Sequence, residues 1–234
     1  MNQLLYTVGH STQSADEFVQ LIAPHGVNCI VDVRSTPYSK YTPQFNEDVF
    51  SAFLKNHGIL YAPFGKHFGA RRNDCLREIE KKKRGIAMTI NQVNFEEGTK
   101  TKDFLDGVER IKKALSQGRT IALMCSESDP LGCHRFSFIS RYFYDNGFDV
   151  KHIVHDNLSG ESVAVNHKDL EMAMIKFYID HHKLQPVSGQ GGYLAIDFGE
   201  DSYTEEQQRT DAYRLKNKEI GWIANEDNEE EFNF

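Results

Sequence analysis

Short apolar runs alternate with stretches of helical periodicity through most of this chain. Leu4 to Val8 reads as a strand that ends at Gly9-His10-Ser11. Ser14-Ala-Asp-Glu17 has the spacing of a capping box and predicts a helix from Ala15 to Pro24 or His25, with an irregular last turn at the proline. Asn28 to Val33 is apolar except for Asp32, the pattern of a strand buried on both faces, which favours a parallel sheet. Ser35 to Phe45, holding Pro37 and Pro43, reads as a long loop. Asn46 then caps a helix with Val49, Phe50, Phe53 and Leu54 on one face and Gly58 at its end. Ile59 to Ala62 is a third short strand, and Phe64 to Asn73 a basic loop.

The pattern breaks between residues 75 and 100, where Glu80-Lys-Lys-Lys-Arg84 reads as the solvated face of a helix. It returns with Lys102 to Ser116, where Phe104, Leu105, Val108, Ile111 and Leu115 recur at helical spacing. A strand at Thr120–Met124, a polar loop, a helix to about Asn146 and a strand at Val150–Val154 follow. Strand and helix in alternation predict a Rossmann-like α/β fold: a three-layer sandwich around a mostly parallel sheet. The remainder reads as helical, with helices at Asp169–His182 and Thr204 to about Ala224 and a turn region at Gly189–Gly192 between them. The expected organisation is a core at 1–160, a helical extension at 161–225 packed on or beside it, and an acidic tail at 226–234.

Composition adds few constraints. The 234 residues carry a net charge of −7, which argues against a generally basic nucleic-acid coat while allowing a local basic cleft. No apolar run nears the ~18 residues of a membrane helix, and the N-terminus enters a strand without a basic leader, so a cytoplasmic protein is expected. Four cysteines fit that compartment as free thiols. Cys29 reads as a buried strand residue.

The chemistry concentrates in Cys125-Ser-Glu127-Ser-Asp-Pro-Leu-Gly-Cys133-His134-Arg135, between an apolar strand and an amphipathic helix. Open parallel sheets bind ligands beyond the carboxyl ends of their strands, where loops leave and helix N-termini point. Other strand ends add His10 and Ser11, then Asp32, Arg34 and Ser35. Asp32, Cys125, Glu127, His10 and His134 are the candidate catalytic groups. Ser11, Arg34, Ser35, Lys66, Arg71, Cys133 and Arg135 are the candidate substrate contacts. Asp32 and Glu127 are candidate proton carriers, or else partners in loop-bracing bonds. Arg34 and Arg135 suit a phosphate or carboxylate. Cys125 is a candidate nucleophile, although the loop from it to Arg135 is longer than a phosphatase-type cradle. Lys66, His67, Arg71 and Arg72, interleaved with Tyr61, Phe64 and Phe68, form a second basic cluster suited to phosphate or a stacked base. It would face the same crevice if the third strand lies beside the second. His10, Cys125, Cys133 and His134 are a conceivable zinc set, but Cys–x7–Cys–His fits no common zinc spacing, so no metal or cofactor is expected. His181-His182 reads as solvated.

Tyr6-Thr-Val-Gly-His-Ser11, Val31-Asp-Val-Arg-Ser-Thr-Pro37, Gly65-Lys-His-Phe-Gly69 and Leu123-Met-Cys-Ser-Glu127 with Cys133-His-Arg135 resemble the ordered motifs of the family called domain of unknown function 488. The resemblance covers about residues 4–155, and Ala212-Tyr-Arg214 resembles that family's tail. Ala70 stands where the family pattern often has a second glycine. The resemblance implies a Rossmann-like fold and a shared site, and supplies no activity.

Three functions stay open on this reading. The first is a hydrolase or group transferase acting on a phosphate-bearing substrate, such as a nucleotide or nucleic acid. No Gly-x-Gly-x-x-Gly fingerprint follows the first strand, so dinucleotide chemistry is not expected. The second is a non-catalytic nucleotide or anion sensor. The third is a thiol-based redox or sulfur-transfer protein. The expected partners are a phosphate-bearing small molecule or nucleic acid, no membrane, and a second copy of the chain meeting it through the C-terminal helices.

Overall fold

Eight strands and eight α-helices are seen in the computed structural model, which describes residues 3–83, 86–156, 158–187 and 203–224. Six strands form one sheet in the order β3 (Leu60–Pro63), β2 (Cys29–Asp32), β6 (Ile121–Cys125), β1 (Leu4–Gly9), β7 (Asp149–His155), β8 (Ser162–Asn166). All neighbours are parallel except β7 with β8. The fold is Rossmann-like, with helices on both faces of a mostly parallel sheet, as the alternation of elements predicts.

The period-two geometry of strands divides the core. Ile121, Leu123 and Cys125 of β6 point to one face, with Val31 and Val33, against α5 (Lys102–Ser116) and α6 (Arg141–Asp145). Ala122 and Met124 point to the other, with Val8 and Ile30, against α1 (Ala15–Ile22) and α2 (Glu47–Asn56). The capping box at Ser14 and Glu17 forms, and a 3-10 turn at Ala23–His25 makes the irregular end that Pro24 imposes. On α2, Phe50 and Leu54 are buried whereas Val49 is exposed, so the apolar face is narrower than its sequence suggests. Asn46 stands at its N-cap but spends Oδ1 on the Ser39 N–H.

Two segments differ from the sequence reading. Residues 75–93 do not form a helix. β4 (Leu76–Lys83) pairs antiparallel with β5 (Ile86–Val93), so the lysine run lies on a hairpin arm. Ile79 faces Ile90 across the hairpin, but the two apolar residues of β4, Leu76 and Ile79, are three apart, so its sequence shows no strand alternation. The segment after residue 160 is also not wholly helical: β8 extends the sheet before α7 (His167–Asp180) begins. Short α3 (Gly65–Phe68) and α4 (Phe95–Gly98) complete the elements before α5.

The C-terminal helix α8 (Glu205–Ile220) packs with α7 over Phe136, through Met174, Tyr178, Ala212 and Tyr213. It also clamps the hairpin. Asn217 accepts from the Phe95 N–H and donates to the Val93 carbonyl, and Gln92 donates to the carbonyls of Lys218 and Gly221. His181 and His182 are exposed at the end of α7. The Gly189–Gly192 turn and the acidic tail lie outside the described residues. No described helix is long and apolar enough to cross a membrane.

Candidate functional site

The order of the strands builds the site. β6, made late in the chain, lies between β1 and β2, so its outgoing loop passes between His10-Ser11 and Asp32-Arg34. Two crevices result. One, of about 510 Å³, is lined by His10, Arg34, Glu127, Asp129, Gly132 and eight hydroxyl-bearing residues, among them Ser11, Thr12, Thr36 and Ser126. The other, of about 670 Å³, lies between Gln13, His155 and Leu170 and shares Ser11, Thr12, Ser128 and Asp129 with the first. The loop from Ser126 to Asp129 is therefore the partition between them. Ser11, on both crevices, has φ of 49°, a left-handed conformation that is strained for a residue with a side chain.

Strand alternation separates the expected catalytic residues into two groups on opposite faces of the sheet. On the α1–α2 face, Asp32 accepts from Arg34 Nε at 2.9 Å, from Arg34 Nη2 at 2.5 Å, from the Arg34 backbone N–H and from the Tyr61 hydroxyl at 2.6 Å. Arg34 also donates to the Phe45 carbonyl and to His10 Nε2 at 3.1 Å. His10 Nδ1 faces the Ser11 carbonyl at 2.8 Å, so the proton sits on Nδ1 and Nε2 accepts. Burial, then the Arg34 charge, lowers the His10 pKa to about 4, and its ring stacks on Phe45 with centroids 4.2 Å apart. Both imidazole nitrogens and both Asp32 oxygens are thus engaged. Burial and the Asp32 charge push the Tyr61 hydroxyl far up, which keeps it a donor.

On the α5–α6 face lie Cys125, Cys133 and His134. His134 Nδ1 is 3.7 Å from each sulfur, and its Nε2 donates to the Val33 carbonyl at 3.2 Å. The three ligand-type atoms lie within 4.8 Å of one another and are the group with metal-holding spacing among the described residues. The Cys133 sulfur accepts from the Arg135 backbone N–H at 3.5 Å. Cys133 and Cys125 titrate as a pair. Burial opposes a charged Cys133, but contact with the Cys125 thiol, then the Arg135 and His134 charges, pull it down, while contact with the Cys133 sulfur and burial push Cys125 up. Burial opposes a charged His134, but the adjacent Cys133 sulfur raises it. Cys125 donates to Glu127 Oε2 at 3.0 Å; the residue is exposed, yet partial loss of water around its carboxyl raises the pKa. Glu127 both lines the 510 Å³ crevice and touches the thiol pair. All four cysteines are buried free thiols.

Arg135 does not reach a crevice. It is fully buried and donates to the carbonyls of Glu127 at 2.6 Å and Ser128 at 2.9 Å, bracing the partition from below. It opens a π-helical turn, Arg135–Ser140, in which the Ser137 and Ser140 hydroxyls and Arg135 Nε are buried with no hydrogen-bond partner. The second basic cluster is held apart as well. β3 does lie beside β2, yet Lys66 pairs with Asp103, and Arg72 is bound by Asp74, the His67 carbonyl and Thr101. Ser35 Oγ accepts from the Arg71 backbone N–H, which ties this loop to β2. The close approach here falls on Gly69, where a Cβ would lie 2.4 Å from the Gly65 carbonyl oxygen, so Ala70 is accommodated. Sequence reasoning missed the hydroxyl lining from Thr36, Tyr38, Ser39 and Thr42, and the Tyr61 bond to Asp32. The prolines at 37 and 43 were the only mark that their loop folds back.

A mostly parallel sheet with a polar, two-crevice carboxyl edge defines a Rossmann-like α/β protein with a loop-built candidate site. The family profile described as domain of unknown function DUF488 matches residues 14–142, and the chain belongs to that family. No curated protein and no solved structure gives a match.

Proposed function

We propose that this chain is a hydrolase or group transferase acting on a small hydroxyl-rich substrate, a nucleoside or nucleotide, in the 510 Å³ crevice. One observation carries the reading. Glu127 is exposed in a hydroxyl-lined crevice while its inner oxygen accepts from a buried thiol, so a proton-transfer group stands where substrate would lie. The serine and threonine hydroxyls supply donors and acceptors for a sugar. Arg34 is the guanidinium in the lining, and Asp32 already shares it, while Glu127 and Asp129 add negative charge. This favours the sugar or base over the phosphate as the recognised group. In this reading His10 and Arg34 are positioning residues, and Glu127 moves the proton.

The test is a turnover screen over nucleosides, nucleoside phosphates and inorganic phosphate, with Glu127→Gln in parallel. The expected result is at least ~100-fold loss of turnover with binding retained. A variant that turns over at the wild-type rate overturns Glu127's role. Ligand binding with no turnover by the wild type replaces the enzyme with a sensor. A dimer through α7, whose Met172 and Phe177 are exposed, is read from the same preparation by light scattering.

A further inference from the structure

We propose that Cys125, Cys133 and His134 bind one zinc ion through two thiolates and the imidazole Nδ1, leaving the fourth position to a non-protein ligand. The geometry is already that of a ligand set. With zinc–sulfur bonds of about 2.3 Å and zinc–nitrogen bonds of about 2.0–2.1 Å, a tetrahedral angle requires sulfur–nitrogen edges of about 3.6 Å. Both sulfur–Nδ1 separations are 3.7 Å. As thiol hydrogen bonds these contacts are long; as edges of a tetrahedron they are the right length.

The surroundings are those of a metal site. The Val33 carbonyl takes the Nε2 proton of His134, which fixes the tautomer and leaves the Nδ1 lone pair facing the sulfurs. The Arg135 backbone N–H donates to the Cys133 sulfur, which steadies a thiolate. Coordination through Nδ1 also lets the adjacent Cys133 and His134 serve one ion, because the ring folds back toward its own backbone. Two thiolates and a neutral imidazole cancel a divalent charge, so the filled site carries no net charge into a buried place. Sulfur and imidazole donors select zinc over magnesium or calcium. Glu127 is outside the three-residue group, so the protein closes three positions, the pattern of catalytic rather than structural zinc. Metal binding releases both thiol protons, and Glu127, which accepts from the Cys125 thiol and lines the crevice, offers that proton a way to solvent. The inference goes beyond the crevice reading and does not depend on it.

The test uses the full chain, purified with a reductant and without chelator, for metal content, followed by cobalt(II) titration of chelator-stripped protein. The expected result is one zinc per chain. One equivalent of cobalt should give a sulfur-to-cobalt charge-transfer band and the intense visible bands of a four-coordinate ion. Cys125→Ser and Cys133→Ser should each lower zinc affinity by more than about 100-fold, beyond what outer-shell changes cost, while Cys75→Ser binds normally. A reduced, folded wild type that gives no charge-transfer band overturns the inference whether or not the variants fold. So does zinc binding unchanged in both cysteine variants, or isolation of a Cys125–Cys133 disulfide in place of the metal. Active enzyme without zinc removes the metal and leaves the crevice reading standing; bound zinc with Glu127→Gln fully active does the reverse.

Discussion

Thr7 on β1 and Tyr213 on α8 are joined through two buried imidazoles. The Tyr213 hydroxyl donates to Glu171 and so accepts from His167 Nε2 at 2.9 Å. His167 Nδ1 then accepts from His152 Nε2 at 3.1 Å, and His152 Nδ1 accepts from the Thr7 hydroxyl at 2.8 Å. Every proton in the chain points the same way, so both rings are neutral and each has one tautomer. The C-terminal helices are thereby tied to the central strand of the sheet by polar bonds as well as by the apolar contacts around Phe136.

This chain sets a pH dependence of stability. Burial, then the His167 and Arg135 charges, holds His152 well below its ordinary value. Burial, then the charges of Arg209 and Arg141, lowers His167 to about 3. The unfolded chain protonates both near pH 6.5 and the folded protein does not. Stability is therefore full above about pH 6.5 and falls as pH drops from there toward 3, by up to about 1.4 kcal/mol per pH unit for each histidine. In urea titrations between pH 7 and pH 4.5, His167→Gln should flatten the slope by about one histidine's share. An unchanged slope would sink the assignment.

Gly9 admits no side chain. A Cβ there would lie 1.8 Å from the Glu127 carbonyl oxygen, which Arg135 holds from the other side. Gly9→Ala should cost more than about 2 kcal/mol and displace the partition between the crevices. Gly132→Ala, whose nearest neighbour is Asp129 Oδ2 at 3.9 Å, should be tolerated. Chemical denaturation of the two variants decides it, and equal stabilities would contradict the packing.

Asp32 holds Arg34 in place. Asp32→Asn leaves a buried guanidinium without its counter-charge and should destabilise the fold by about 3–5 kcal/mol. Tyr61→Phe, which removes only one donor to the same carboxylate, should cost less, about 1.5–3 kcal/mol. Thermal unfolding that ranks the two variants the other way would show that Arg34 does not depend on this pair.

Arg135→Met keeps the volume of the side chain and removes the donors to the Glu127 and Ser128 carbonyls. The expected cost is about 2–4 kcal/mol, with faster hydrogen exchange over residues 126–130. An anion-binding arginine would instead leave stability nearly unchanged and weaken ligand affinity.

The α/β alternation was legible because buried parallel strands and amphipathic helices carry strong periodic signals, as at Asn28–Val33 and Lys102–Ser116. The hairpin at Leu76–Val93 was not, because β4 is mostly charged and its two apolar residues, Leu76 and Ile79, are off the strand period. β8 was hidden by its shortness and by two exposed residues among five. The loop from Cys125 to Arg135 was legible as a cluster of polar and titratable groups, but not the division of its partners. Asp32 and Cys125 both sit at strand ends, and only the register of β2 against β6, with alternating side chains, puts them on opposite faces. Nor does linear spacing reveal that Cys125 and Cys133 converge on one imidazole, since the turn at Pro130–Gly132 closes that distance in three dimensions.

The late strand β6 has a consequence for how the protein is made. During synthesis β1 and β2 emerge long before the strand that must lie between them, and neither has its final neighbour on that side until residues 121–125 appear. Nascent chains halted before that point should bind chaperones and yield to proteases, and resistance should come once the chain extends past β7, the other neighbour of β1. The strand that joins the two halves of the sheet thus also carries the loop that divides the crevices, so neither crevice has its wall before the halves are joined.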